Sequence, residues 1–75
     1  MMCICDLKIG DTALIYRIDG DKKLIKRLHA LGCIEGTKIS LTNKAPLGDP
    51  LVFNIRGFNI ALRKKDAKNI LIEEA

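Results

Sequence analysis

Two glycines four residues apart, Gly32 and Gly36, constrain this chain more than any other feature. They follow Leu28-x-x-Leu31 and precede an alternating run that starts at Thr37. Glycine adopts the positive φ that ends a helix, and the tight bend that re-aims a chain, without a Cβ clash. The stretch from Leu28 to Ile39 therefore reads as the end of an amphipathic helix, a turn at Gly32, a second turn at Gly36 and the start of a strand. It is a mark of fold and contains no catalytic constellation.

The helix is expected over Lys22 to Leu31. Asp21 is placed to cap it, and Gly32 supplies the residue just past its end. At 100° per residue Leu24, Ile25, Leu28 and Leu31 fall within about 120° of arc. Lys22, Lys23, Lys26 and Arg27 occupy the opposite side, so one face goes to a core and the other to water.

Strands are expected on both sides of this helix. Thr12 to Ile18 is β-branched and aromatic, although Ala13-Leu14-Ile15-Tyr16 is too continuous to assign faces. Before it, Leu7-Lys8-Ile9-Gly10-Asp11 forms a lead-in turn with Leu7 and Ile9 pointing inward, and residues 1–5 form a loose or edge segment. Thr37 to Ala45 alternates, with Ile39 and Leu41 sharing one face. Leu51 to Ile55 and Phe58 to Leu62 flank Arg56-Gly57, a two-residue hairpin turn. A helical turn over Lys64 to Asn69 leads to a closing strand at Ile70 to Glu73. Five short strands with one helix predict a small, mostly antiparallel barrel, because closing the sheet on itself removes exposed edges.

At 75 residues the chain forms one domain, burying only about 60% of its unfolded surface. A content of 48% hydrophobic and 29% charged residues excludes a disordered chain. Three aromatics, Tyr16, Phe53 and Phe58, are too few for a base-stacking platform, and they are expected in the core. The longest apolar run is far shorter than the roughly 18 residues of a membrane span. Together with the absence of a basic, apolar leader, this makes a cytoplasmic protein the expectation. Cys3 and Cys5 lie too close in sequence for a comfortable bridge, so no disulfide framework is expected. The net charge of +4 is spread along the chain without a basic tail.

The ordered set of features resembles the ferrous iron transport protein A (FeoA) family. The matching residues are Leu7-x-x-Gly10, then Leu28-x-x-Leu31-Gly32-x-x-x-Gly36-x-x-Ile39. They continue with Pro46-Leu47-Gly48-Asp49-Pro50, Gly57, Ile60-Ala61-Leu62-Arg63 and Asp66-Ala67-x-x-Ile70. The chain departs from the family pattern at Glu35, where a proline is common, and in its Cys3-Ile4-Cys5 lead-in. The resemblance implies an SH3-like barrel with a helix inserted after the first strand. It also implies an accessory role in bacterial ferrous iron uptake, acting through the membrane permease FeoB, whose cytoplasmic part is a GTP-binding domain.

Chemistry of the chain's own is not expected. There is no Gly-x-x-x-x-Gly-Lys-Ser/Thr phosphate loop. His29 has no serine or acid partner in sequence, and Cys33 lies four residues further on, past the helix end. The protein is therefore not expected to be an enzyme or to carry a cofactor. Metal is the sharper alternative: Cys3, Cys5, His29 and Cys33 are ligand types for iron or zinc. Against this, Cys-x-Cys is tighter than a zinc knuckle, and a lone Cys33 reads equally as a small buried hydrophobe.

For partner binding, the Pro46–Pro50 loop presents Leu47, Gly48 and Asp49 in restricted backbone, and the helix presents Lys23, Lys26, Arg27 and His29. The expected partner is FeoB, through its cytoplasmic GTP-binding domain or its membrane-proximal region. Nucleic acid and direct membrane insertion are not expected, while a weak homodimer is compatible with the sequence. The four basic residues of the helix offer only a weak, salt-sensitive hold on phosphates. An SH3-like barrel makes docking easy to imagine by fold analogy.

Overall fold

The computed structural model describes residues 2–73 of the chain. Six strands form one antiparallel sheet in the order β1-β6-β2-β3-β4-β5. They are β1 (Met2–Cys3), β2 (Thr12–Ile18), β3 (Lys38–Lys44), β4 (Leu51–Ile55), β5 (Phe58–Leu62) and β6 (Ile70–Glu73). A 3-10 turn at Ile4–Asp6 follows β1, helix α1 (Lys22–Ala30) links β2 to β3, and the single-turn helix α2 (Lys64–Ala67) links β5 to β6. All five expected strands form, and the lead-in supplies a short sixth.

Each strand's inner face is set by its alternation. Ile39 and Leu41 of β3 and Leu51, Phe53 and Ile55 of β4 are buried, and Phe53 is fully so. The ambiguous β2 resolves through a bulge. Its pairing with β6 slips between Ile15 and Arg17, so Tyr16 and Arg17 both face outward and Ile18 returns to the core.

Helix α1 starts as expected, with Asp21 Oδ1 accepting the Leu24 N–H at 2.8 Å. It ends one residue early. The Gly32 N–H donates to His29 C=O and the Cys33 N–H to Leu28 C=O, both at 3.0 Å, with Gly32 at φ +99°. This paired closure needs the left-handed residue that only glycine supplies cheaply. Leu28 and Cys33, at the two ends of the outer bond, are both completely buried. The second turn is fastened to β2, where the Gly36 N–H donates to Ile15 C=O at 2.8 Å.

Several expectations are corrected. Among the described residues the sheet is not closed by hydrogen bonds: β1 and β5 are its two ends. Of the three aromatics only Phe53 is core, while Tyr16 and Phe58 are exposed, the first by the β2 bulge and the second by its place at the hairpin end. Ile9 is exposed because Asp11 clamps a tight turn, accepting the Lys8 N–H on Oδ2 and returning its own N–H to Lys8 C=O, which throws Ile9 to the tip. Leu31 is 44% exposed, since it caps the helix rather than continuing its buried face.

Candidate partner-binding surface

The loop between β3 and β4 is pinned at several points. The Ala45 N–H donates to Pro50 C=O at 3.1 Å and the Gly48 N–H to Ala45 C=O at 2.7 Å, with Gly48 at φ +83°. Asp49 Oδ1 accepts the Lys64 N–H at 3.0 Å. Lys64 opens α2, whose own N-cap, Arg63, provides no side-chain acceptor. A distant loop thus satisfies the first unpaired N–H of that helix. Leu47 is the large apolar side chain that projects from this clamped frame, with 96% of its surface exposed.

The second part of the surface is a groove between α1 and the β5–α2 segment. Leu24, Ala30, Leu31, Ala61 and Leu62 give it apolar lining. Five cations surround it, Lys23, Lys26, Arg27, Arg63 and Lys65, against two carboxylates, Asp21 and Asp66. Both carboxylates are engaged: Asp21 caps α1, and Asp66 Oδ2 accepts from Arg27 Nη2 at 2.8 Å. Among the described residues the other four cations form no ion pair, so the groove carries uncompensated positive charge. Helix α2 joins the two parts, holding the loop through Lys64 and α1 through Asp66.

His29 sits apart from the groove lining, its Nε2 3.2 Å from Glu35 Oε1 across the Gly32 turn, with both side chains about half exposed. Among the described residues neither His29 nor Cys33 joins a cluster of metal-ligand atoms. Cys33 is fully buried, and desolvation pushes its thiol up to about 11, so it stays protonated at neutral pH and is a poor ligand. Cys3 and Cys5 are joined as a disulfide, which corrects the expectation that they are too close to pair. The chain bends from β1 into the 3-10 turn with Ile4 directed into the core, leaving their Cα atoms 5.3 Å apart, within the usual bridging range. Asp6 completes a different cluster: the ligand atoms of Cys3, Cys5 and Asp6 lie within 4.8 Å of one another. Its carboxylate is held there by the Cys3 N–H, 3.1 Å from Oδ2.

Sequence reasoning missed Arg63, Lys64, Lys65 and Asp66 as parts of this surface. Their charges were visible, but nothing local indicates that α2 packs beside a helix nearly forty positions earlier. Among the described residues no helix is long and apolar enough to cross a membrane.

These features define a small SH3-like β domain that carries a rigid exposed loop and a basic groove. Residues 2–74 match the FeoA domain family, and the chain belongs to it. A fusion of Fe(2+) transport protein A with the Fe(2+) transporter FeoB from Porphyromonas gingivalis is 36% identical over 72 residues. That match covers 96% of this chain, which spans only 8% of the fusion. The solution structure of iron(II) transport protein A from Clostridium thermocellum superposes with a TM-score of 0.92 at 38% identity, covering 96% of this chain and 44% of that one. Stenotrophomonas maltophilia FeoA, described as a prokaryotic SH3 domain protein and complexed with zinc, gives a TM-score of 0.85 at 23% identity. It covers 97% of this chain and 91% of its own, a likeness of fold.

Proposed function

We propose that this protein is a cytoplasmic accessory protein of bacterial ferrous iron uptake that works by docking on the permease FeoB, with no chemistry of its own. The observation that carries the reading is the P. gingivalis relative, in which Fe(2+) transport protein A and FeoB are one chain. Fusion keeps two proteins at high effective concentration, an arrangement suited to partners that touch. Contact falls to Leu47, presented by a loop fixed through Gly48 and Asp49, and to Lys23, Lys26 and Arg27 on the groove wall, with His29 at the helix end. The ordering cost of binding is small for such a surface, because its backbone is already held.

A pull-down against detergent-solubilised FeoB, with Leu47→Asp and Lys26→Glu/Arg27→Glu variants alongside, tests the reading. Retention of wild type and loss with either variant is the expected result. Failure of wild type to bind, with or without GTP analogues and ferrous iron, overturns it.

A second reading, direct binding of a transition metal as carrier or sensor, is favoured by the Cys3, Cys5 and Asp6 cluster. Two thiolates and a carboxylate are zinc ligand types, available once the disulfide is reduced. Titration of the reduced protein with zinc tests it: stoichiometric uptake abolished by Cys3→Ser and unchanged by Cys33→Ser is the expected outcome. Equal uptake by Cys3→Ser would sink it.

A further inference from the structure

Strand β5 ends the sheet, and its pairing with β4 fixes which of its backbone groups are free. Ile55 and Phe58 flank the two-residue Arg56-Gly57 turn, where both residues take positive φ (51° and 86°). In a hairpin of this kind the flanking pair exchanges hydrogen bonds, and the pairs beyond it alternate between bonded and non-bonded. Phe58, Ile60 and Leu62 therefore bond to β4. Asn59, opposite Asn54, and Ala61, opposite Val52, direct their N–H and C=O groups away from the sheet. Among the described residues no backbone bond satisfies them. Ala61 also lines the basic groove.

We propose that β5 accepts an added strand: an extended, acidic segment of a partner protein lies in the groove between β5 and α1 and hydrogen bonds the outward groups of Asn59 and Ala61. Free strand edges recruit extended chains through main-chain bonds, and side-chain pockets then select the sequence. Here selection is electrostatic. Among the described residues Lys26, Arg63 and Lys65 border the groove without carboxylate partners, so carboxylates on the incoming strand meet cations left unpaired there. The same charges disfavour a second copy of this chain, whose own β5 would bring an identical set of cations to the edge. Apolar side chains on the incoming segment find Leu24 and Leu31. The inference deepens the permease-docking reading by giving the chemistry of the segment that the partner would offer.

The test uses an eight-residue capped peptide of alternating glutamate and valine. Amide hydrogen exchange is followed residue by residue on the whole protein. Without peptide, Asn59 and Ala61 exchange faster than Phe58, Ile60 and Leu62. Saturating peptide is expected to slow Asn59 and Ala61 at least tenfold. Methylating alternate peptide nitrogens, or the Arg63→Glu/Lys65→Glu change, is expected to weaken binding at least tenfold, and a lysine–valine peptide to bind no better. Absence of saturable binding, unchanged exchange at Asn59 and Ala61, or equal affinity of the methylated peptide overturns the proposal.

Ala61→Pro removes one outward donor at a position where an edge strand tolerates proline. FeoB retained equally by wild type and this variant overturns strand addition and leaves the permease contact standing. Peptide bound with the expected exchange pattern, but no FeoB retained, supports the groove and overturns the permease reading alone.

Discussion

Arg27 Nη2 lies 2.8 Å from Asp66 Oδ2, joining two helices whose residues are 39 positions apart. The Asp66 side chain is 18% exposed and that of Arg27 61%, so the pair is partly shielded. It links the two walls of the basic groove. A double-mutant cycle of Arg27→Ala and Asp66→Ala, read by chemical denaturation, should give a coupling of about 0.5–1 kcal/mol that shrinks in high salt. A coupling indistinguishable from zero would mean that the pair does not hold α1 to α2.

Gly32→Val should destabilise the fold by more than about 1 kcal/mol, a fall in Tm of at least about 4 °C for a domain of this size. Two costs combine: φ is +99°, and a Cβ there would sit 3.4 Å from Ile55 Cγ2. Leu28→Ala, at the buried centre of the helix face, should cost about 2–5 kcal/mol. An unchanged melting curve for Gly32→Val would show that the helix does not depend on this closure.

Leu47 and Asp49 sit two residues apart in one loop and should behave oppositely. Leu47→Asp leaves Tm within the range of surface substitutions, below about 0.5 kcal/mol, because the side chain touches almost nothing. Asp49→Ala removes the acceptor of the Lys64 N–H and should cost about 0.5–2 kcal/mol. If both variants melt with wild type, the loop is not anchored to α2.

The Cys33 thiol gives the fold an alkaline limit. Burial raises it from 9.0 to about 11, so between those values the unfolded chain has lost a proton that the folded chain keeps. Stability therefore falls as pH rises through that window, by at most about 1.4 kcal/mol per pH unit, and this contribution is constant below pH 9. Thermal melts of wild type and Cys33→Ala at pH 8 and pH 10.5 should show a smaller alkaline loss in the variant. Parallel losses would place the sensitivity elsewhere.

Local chemistry made most of the fold legible in the sequence. Asp21 as cap, Gly32 at the helix end, Ile39 and Leu41 sharing a face, and Arg56-Gly57 between two strands each follow from interactions spanning a few residues. Strand faces failed where a bulge broke the alternation, as at Tyr16, and inward assignment failed where a side-chain clamp overrode hydropathy, as at Ile9. Leu47 and the α1 cations could be named in advance because exposure follows from loop and helix-face position. Their connection through Lys64 and Asp66 could not, since it is a tertiary relation with no periodic trace. Of the four expected ligands Cys3 and Cys5 come together, Cys33 is buried and His29 faces Glu35, because ligand type is written in the sequence but convergence is not.

The pairing of β1 with β6 sets Met2 opposite Ile72. The two ends of the described chain thus meet at one margin of the sheet, while β5 forms the other. A neighbouring domain joined at either terminus would hang from that same margin, like a pendant on a single hook, and β5 would stay uncovered. An appended domain would then leave the proposed strand-accepting edge, at the opposite margin, free for a partner.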